Sequence, residues 1–286
     1  RAISGYLFYL PFGVLYALFL IYPLIKGFEM SFYEWDLFSE PTFIGFANFP
    51  KMFSDPIFWG SLWNTIYFVI LTVPILVILG FFVALLLNSR IYFQKFFRML
   101  FFFPYVLSIS IVCSIWTFMY QPKYGIIANI SQKFGIEYIG WLGNPNTAMP
   151  AIALTTIWWT LGFNVILYSA GLQEISPEIY EAAELDGANS FQKTFFLTFP
   201  MLKKTHSLVL VLQTISSLQI FGQVYIMTGG GPYGKTRVLI QYIYDQGFRY
   251  FKMGYAQAMA LFFFLIMFLI AIVQIVLIHG TGGENA

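Results

Sequence analysis

Charged residues are scarce in this sequence, and their scarcity excludes an ordinary soluble domain. Only 10% of the 286 residues are charged, whereas 59% are hydrophobic and 21% are aromatic. A soluble domain normally carries about 25% charged residues. This chain therefore has too few charges to cover a surface that faces water on all sides.

Cysteine and histidine are nearly absent, which excludes several kinds of site. Cys113 is the single cysteine, so neither an internal disulfide nor a multi-cysteine metal site is possible. His206 and His279 are too few for a zinc site built from histidines. The longest basic run is Lys203-Lys204, which gives no sign of a nucleic-acid partner. No nucleophile–base pair or pair of intramembrane aspartates supports an enzyme.

Long windows without charge divide the chain into six hydrophobic segments. They are 2–25, 56–89, 99–122, 138–173, 205–234 and 253–283. Each exceeds the roughly 20 residues that a helix needs to cross a bilayer, and helices pair their own backbone groups in lipid. We predict an all-α integral membrane protein with a single transmembrane domain over residues 1–286. Its six transmembrane helices are expected near 6–28, 62–88, 97–120, 148–172, 206–227 and 257–279.

Positive charge does not settle the orientation of these helices. With the N-terminus inside the cell, the basic residues divide almost evenly between the two sides. The short turn around residues 88–96 favours that choice, because short loops weigh most in the positive-inside rule. The chain begins at Arg1 rather than methionine, so we expect a native segment to have preceded it.

The loop between the fourth and fifth predicted helices, 173–205, contains a short helix. Ser176 followed by Pro177 is typical of a helix start, with a serine cap and proline at the first position. Gly187 is a suitable helix end, and a second helix is expected from Ser190 towards Pro200.

The predicted helix 177–186 is amphipathic. Its apolar side is formed by Ile179, Tyr180, Ala182 and Ala183, and its acidic side by Glu178, Glu181 and Glu184. Two interpretations are open for such a helix. It docks into a groove on another protein, or it lies on the lipid surface.

The same loop carries a recognisable signature. Residues 181–183 read Glu-Ala-Ala, Gly187 follows after three residues, and 197–200 follow after nine more. This pattern resembles the EAA signature of permease subunits in binding-protein-dependent ABC importers. Leu197 and Phe199 depart from the usual isoleucine and leucine, and both changes keep the positions apolar.

Further stretches along the chain resemble permeases of sugar importers; they are 43–48, 55–56, 64–65, 158–173 and 228–232. The stretches 242–244 and 254–258, with Phe248, resemble the larger, maltose-type half of the permease pair. The resemblance implies a non-catalytic permease subunit of a bacterial sugar or oligosaccharide importer, located in the cytoplasmic (inner) membrane. It also implies that loop 173–205 and both chain termini are cytoplasmic. Which sugar is carried, neutral or acidic such as an alginate fragment, stays open.

The resemblance further implies partners and a coupling site. The expected partners are a second homologous permease subunit, two ATPase subunits, an extracytoplasmic solute-binding protein, the carbohydrate and the bilayer. ATP and Mg would be bound by the ATPase subunits, and this chain would bind no cofactor, metal or nucleic acid. The expected ATPase-coupling residues are Pro177, Glu178, Tyr180, Glu181, Ala182, Ala183, Asp186 and Gly187.

Neutral polar and aromatic residues within the predicted helices are candidates for the substrate pathway. They are Gln213, Ser217, Gln219, Gln223, Trp159, Asn164, Trp116 and Tyr120. Amides, hydroxyls and aromatic faces suit sugars, whereas hydrogen bonding between helices is the alternative use of such residues. The predicted helices lack deep charges, which disfavours an ion-coupled secondary carrier. That carrier is the alternative function.

Residues 229–236 match the phosphate-loop pattern G-x-x-x-x-G-K-[ST]. A phosphate loop follows a β-strand and opens a helix, whereas this segment follows a predicted transmembrane helix. We therefore expect no ATP site here.

Overall fold

The computed structural model describes residues 2–89, 92–134 and 139–280. Helices dominate these residues, and one pair of short strands forms a sheet. In chain order the first elements are α1 Ala2–Tyr16, a π-helical turn Ala17–Ile21, α2 Tyr22–Met30, β1 Tyr33–Glu34, β2 Thr42–Phe43, α3 Asn48–Phe53, α4 Pro56–Asn88, α5 Gln94–Val106, α6 Ile109–Met119 and α7 Ile126–Lys133. The remaining elements are α8 Ala148–Gln173, α9 Pro177–Leu185, α10 Ser190–Gln192, a π-helical turn Lys193–Thr198, α11 Phe199–Met201, α12 Lys203–Leu218, α13 Gly222–Met227, α14 Leu239–Tyr244, a π-helical turn Asp245–Arg249 and α15 Met253–Gly280.

Four helical stretches among the described residues are long and apolar enough to cross a membrane. They are Tyr9–Met30, Pro56–Asn88, Ala148–Gln173 and Met253–Leu277. Two bent pairs, Gln94–Val106 with Ile109–Met119 and Ser190–Met201 with Lys203–Leu218, bring the number to six if each pair is one span. The all-α membrane fold is confirmed.

The segment expected as one helix over 97–120 is instead two helices, α5 and α6, at 98° to each other. Leu107 and Ser108 both have extended backbone angles, which ends α5 and restarts the chain in a new direction. The carbonyl of Leu107, which no longer serves a helix, accepts a hydrogen bond from the indole of Trp159 at 3.2 Å. The break is therefore stabilised by a neighbouring helix.

The helix expected over 206–227 is also divided. α12 begins at Lys203 and ends at Leu218, and α13 begins at Gly222. Phe221, the residue before α13, has φ −148° and ψ −60°, which a continuous helix does not allow. Gln219, which lies between the two helices, is therefore outside regular helix.

The first compact unit comprises residues 1–60 and 239–268. Its two strands pair antiparallel, with Tyr33 opposite Phe43. The side-chain amide of Asn48 donates to the carbonyls of Ser31 and Tyr33 at 2.9 and 3.0 Å, which joins the start of α3 to the strand. The amide of Met253 donates to the carbonyl of Trp35, so the start of α15 is fastened to the same segment.

The second compact unit comprises residues 61–238 and 269–286. Its core contains two hydrophobic clusters, one including Val112 and Ile152 and the other including Phe81 and Tyr168. Close helix packing depends on a small residue: a Cβ added at Gly162 of α8 would lie 2.2 Å from the carbonyl oxygen of Phe101 in α5. Small residues that let helices approach closely are typical of bundles in lipid.

Candidate functional site

The short helix predicted in loop 173–205 is α9, Pro177–Leu185. Ser176 precedes it with an extended backbone, and Pro177 occupies the first helical position, as predicted. The hydroxyl of Ser176 makes no capping hydrogen bond, so that part of the prediction is wrong. The amide of Ile179, which such a cap would serve, donates to the backbone carbonyl of Ser176 instead.

The end of α9 matches the prediction made for Gly187. This glycine has φ +82°, a left-handed conformation that costs other residues energy. Its amide donates to the carbonyl of Glu184, and the amide of Ala188 donates to the carbonyl of Ala183. This pair of bonds is a Schellman motif, which fixes where the helix stops.

The apolar side of α9 faces the chain's own bundle. Ile179 and Tyr180 are half-buried against the hydrophobic cluster that contains Phe81 and Tyr168. We had expected the apolar side to be free to dock on another protein. It instead packs on the chain's own core, because burial next to an apolar core stabilises large apolar side chains. Ala182, expected on that apolar side, is exposed.

Two side-chain contacts fasten α9 to the following helix. The hydroxyl of Thr198 donates to the carbonyl of Lys193, so the hydroxyl of Tyr180 is the donor in its 3.0 Å bond to Thr198. Lys193 also forms an ion pair with Glu184 at 2.6 Å. The hydrogen bond and charge of Lys193 lower the pKa of the Glu184 carboxyl. α9 is therefore held in a fixed orientation.

The outward face of α9 is acidic and contains one large apolar residue. Within the described part of the chain, the carboxylates of Glu178, Glu181 and Asp186 have no hydrogen bond or ion pair. Leu185 lies on the same outer surface and is 90% exposed. A partner that covers this face needs basic donors for the carboxylates and an apolar contact for Leu185.

The candidate pathway residues on α12 are used between helices in this structure. The amide nitrogen of Gln213 donates to Asn164 of α8 at 2.8 Å. The hydroxyls of Ser217 and Thr72 of α4 lie 3.0 Å apart. Gln213, Ser217 and Asn164 are all buried. The structure therefore brings Gln213 and Asn164 together through this one bond, and the side-chain nitrogen of Asn164 has no partner among the described residues.

The aromatic candidates also contact other helices. The hydroxyl of Tyr120 donates to the carbonyl of Ala151 at 3.0 Å, and Trp159 donates to Leu107 as described above. The ring of Trp116 lies 5.5 Å from that of Tyr120 and 5.6 Å from that of Trp158. These side chains belong to the packed core of the second unit.

Gln219 and Gln223 differ from the other candidates. Gln219 is exposed at the break between α12 and α13, and Gln223 lies in α13. Neither side-chain amide has a hydrogen-bond partner among the described residues. Together with the side-chain nitrogen of Asn164, which is buried without a partner, they keep hydrogen-bonding capacity that is available to a ligand.

The first unit also contains a half-buried carboxylate, Asp55, that two tyrosines contact. Tyr242 and Tyr255 both donate to the same carboxylate oxygen of Asp55, at 2.5 and 2.8 Å. Burial would raise the pKa of Asp55, but these bonds and the backbone amides of Ile57 and Phe58 lower it overall. Asp55, Tyr242 and Tyr255 each lie in a stretch that resembles the permease family, but their contact could not be predicted because the tyrosines are far from Asp55 along the chain.

The segment that matches a phosphate loop has a different structure. It follows helix α13 rather than a strand. The amides of Gly231, Lys235 and Thr236 donate to carbonyls within the loop itself, so they are not available to a phosphate. The hydroxyls of Thr228 and Thr236 lie 2.8 Å apart and close the loop. Across the described ranges there is also no group of histidine, cysteine and acidic residues that could hold a metal ion.

Comparison with known proteins gives consistent similarities. The sequence model of a family described as "Binding-protein-dependent transport system inner membrane component" matches residues 53–281. The sulfoquinovosyl glycerol transport system permease protein SmoG of Agrobacterium fabrum is 35% identical, over 94% of this chain and 88% of its own length. The trehalose/maltose transport system permease protein MalF of Thermococcus litoralis is 35% identical, over 81% and 79%.

A solved structure has the same fold. It is the crystal structure of a bacterial alginate ABC transporter in complex with an alginate pentasaccharide-bound periplasmic protein. One of its chains superimposes with a TM-score of 0.85 and 25% identity, over 96% of this chain and 93% of that one.

Proposed function

Because this chain belongs to the family of binding-protein-dependent transport system inner membrane components, we propose that α9 receives the driving force for transport from a separate ATPase subunit. The chain is the membrane-spanning permease subunit of an ATP-driven carbohydrate importer, and it is not itself an enzyme. The observation that carries the proposal is the outer face of α9, where Glu178, Glu181 and Asp186 are exposed on a helix held in place by Tyr180 and Lys193.

The proposed coupling is mechanical. When ATP closes the two ATPase subunits, the subunit that holds α9 moves this helix. Tyr180 passes the displacement to the helix that contains Thr198 and leads into α12. Ile179 and Tyr180 pass it to the core cluster that contains residues of α8. The bundle then changes between two packings, one open to each side of the membrane.

The wider assembly follows from the same premise. A second, homologous permease subunit completes the pathway, and a solute-binding protein outside the membrane delivers the carbohydrate. Loop 173–205 and both termini lie on the cytoplasmic side of a bacterial inner membrane in this arrangement. ATP and Mg are bound by the ATPase subunits.

The proposed carbohydrate pathway runs along the break between α12 and α13. Gln219 and Gln223 supply free amides that can donate to and accept from sugar hydroxyls. The other candidates are packed between helices in this structure, and in the proposal they exchange these partners for substrate when the packing changes: Gln213, Ser217, Asn164, Trp116, Tyr120 and Trp159. Relatives named for carbohydrate transport support this class of substrate.

Replacing Glu181 with lysine tests the coupling proposal. The variant places a positive charge where a basic partner is expected, so the ATPase subunits should bind about tenfold more weakly or hydrolyse ATP without transport. The measurement is uptake and ATPase activity of the complete importer in proteoliposomes, with the loaded solute-binding protein outside.

The matched control is Glu40→Lys, which reverses an exposed charge between β1 and β2. This control should keep normal uptake and stimulated ATPase activity. Normal values for the Glu181 variant as well would contradict the role given to α9. Uptake driven by an ion gradient without ATPase subunits would contradict the importer itself.

A further inference from the structure

A groove between α5 and α8 has a chemistry that the proposed coupling does not use. Its volume is about 450 Å³. Phe102 and Ile166 contribute apolar walls, whereas Arg98, Ser169 and Gln173 contribute polar groups. An apolar channel with a basic end is suited to a ligand that has an acidic head and a hydrocarbon tail.

Arg98 lies in this groove without a counter-ion. Its Nε atom is shielded from solvent and has no hydrogen bond, and its guanidinium has no ion pair among the described residues. Neither helix that lines the groove contains an acidic residue, and the sequence has none at all between Asp55 and Glu137. Arg98 as a whole is only partly buried, but its shielded Nε lacks the hydrogen-bond partner that a buried donor normally has. The helices that line the groove supply no anion for this guanidinium, so a ligand from outside the chain is the candidate.

Ser169 provides an independent sign of a missing ligand. Its side chain is 7% exposed, and its hydroxyl has no hydrogen-bond partner. Other hydroxyls on the same helix donate to the carbonyl four residues earlier: those of Thr155, Thr156 and Thr160 do so at 2.8–3.0 Å. Ser169 does not use this local acceptor and lines the same groove as Arg98. Buried hydroxyls are normally paired.

We propose that this groove binds one anionic phospholipid. The phosphate accepts hydrogen bonds from the guanidinium of Arg98, the hydroxyl of Ser169 and the amide of Gln173, and an acyl chain lies against Phe102 and Ile166. A bidentate arginine–phosphate contact supplies the charge recognition. The apolar walls favour a lipid over free phosphate, because a hydrated ion would leave them without an apolar partner.

The groove lies next to the chain segment that leads into α9, so a bound lipid would also affect the proposed coupling. Gln173 is the last residue of α8, and the chain continues from it into the segment that carries α9. A lipid bound to Arg98 and Gln173 would hold α5 against this end of α8. The site therefore belongs to the leaflet on the side of the coupling loop.

The test measures lipid retained by the complete importer after detergent purification. The delipidated complex is incubated with phosphatidylglycerol or phosphatidylcholine, and bound lipid is counted by native mass spectrometry. We expect phosphatidylglycerol to be retained preferentially by the wild type and about tenfold more weakly by Arg98→Gln. The control is Lys95→Gln, which removes an exposed cation from the same helix outside the groove and should retain the lipid normally.

Several results would overturn the proposal. They are equal retention of the two lipids, unchanged retention by Arg98→Gln, and displacement of phosphatidylglycerol by inorganic phosphate alone, which would identify an ion site instead. If Arg98→Gln does not assemble, Ile166→Trp gives a second test, because it fills the apolar wall and keeps the cation. Reduced retention by that variant supports a lipid tail in the groove, and unchanged retention counts against it.

Discussion

At the residue scale, side chains that are distant in sequence stabilise the ionised form of the Asp55 carboxyl. Tyr242 and Tyr255 donate to one of its oxygens, and the amide of Ile57 donates to the other at 2.8 Å. Each of these bonds is stronger when the carboxyl is ionised. Its pKa in the folded protein is therefore below the ordinary value of about 3.9.

The sign of the resulting pH dependence follows directly. A carboxyl with a lowered folded pKa contributes stability above its unfolded pKa and loses that contribution as the pH falls through the folded value. We expect Asp55→Asn to lower the melting temperature of the purified importer by about 2–4 °C at pH 7. The difference from the wild type should shrink as the pH falls below about 4.

The control for Asp55 is Glu40→Gln, since Glu40 is exposed and has no hydrogen bond among the described residues. Its melting temperature should follow that of the wild type at every pH. A difference for Asp55→Asn that stays constant down to pH 3 would show that the ionised form is not what the tyrosines stabilise.

Local residue chemistry explains which site features could be predicted from sequence. Gly187 was predicted as a helix end because a left-handed turn favours glycine whatever the surroundings. Pairs such as Gln213 with Asn164 could not be predicted, because they depend on which helix faces meet. For the same reason, the sequence could not predict that Ile179 packs inward, because this orientation depends on the core cluster beside it.

At the scale of elements, α5 and α8 pack with backbone nearly touching backbone at Gly162. A Cβ there would lie 2.2 Å from the Phe101 oxygen and 2.7 Å from the Phe102 Cα, and backbone atoms cannot rotate away. We expect Gly162→Ala to force the helices apart and destabilise the bundle by about 1–3 kcal/mol. Thermal unfolding of the complex in detergent measures this loss.

The matched control is Gly60→Ala, at a helical position where an added Cβ meets no atom within 4 Å. Alanine favours helix over glycine by up to about 1 kcal/mol, so this variant should be as stable as the wild type or slightly more stable. Equal destabilisation by both changes would show that close packing is not the reason for glycine at position 162.

Helix breaks mark the limit of prediction from hydrophobic windows. The breaks at 107–108 and 219–221 lie inside apolar stretches, and neither contains proline or glycine. A hydropathy window does not detect these breaks, because the broken segments are as apolar as a continuous helix. What compensates the first break is Trp159 on another helix, a contact that exists only after the bundle has formed.

At the scale of the whole molecule, the described polar residues differ in whether they are already paired. Gln213 and Ser217 join α12 to α8 and α4, whereas Gln219 has an exposed side-chain amide with no partner in the described chain. Interhelical bonds of this kind bias the balance between two packings of a bundle. Gln219 has no such bond to release, so we expect it to affect transport through a ligand.

Substitution at the two glutamines should therefore separate two effects. Gln219→Ala is expected to lower the maximal uptake rate about threefold to tenfold at saturating loaded binding protein, with unchanged basal ATPase activity, because it removes a contact to sugar. Gln213→Ala should change the basal ATPase activity, because it releases Asn164 and shifts the balance between packings. Proteoliposomes containing the complete importer allow both activities to be measured on one sample. A change in basal activity for Gln219→Ala without loss of uptake would reverse the two assignments and move the pathway towards Gln213.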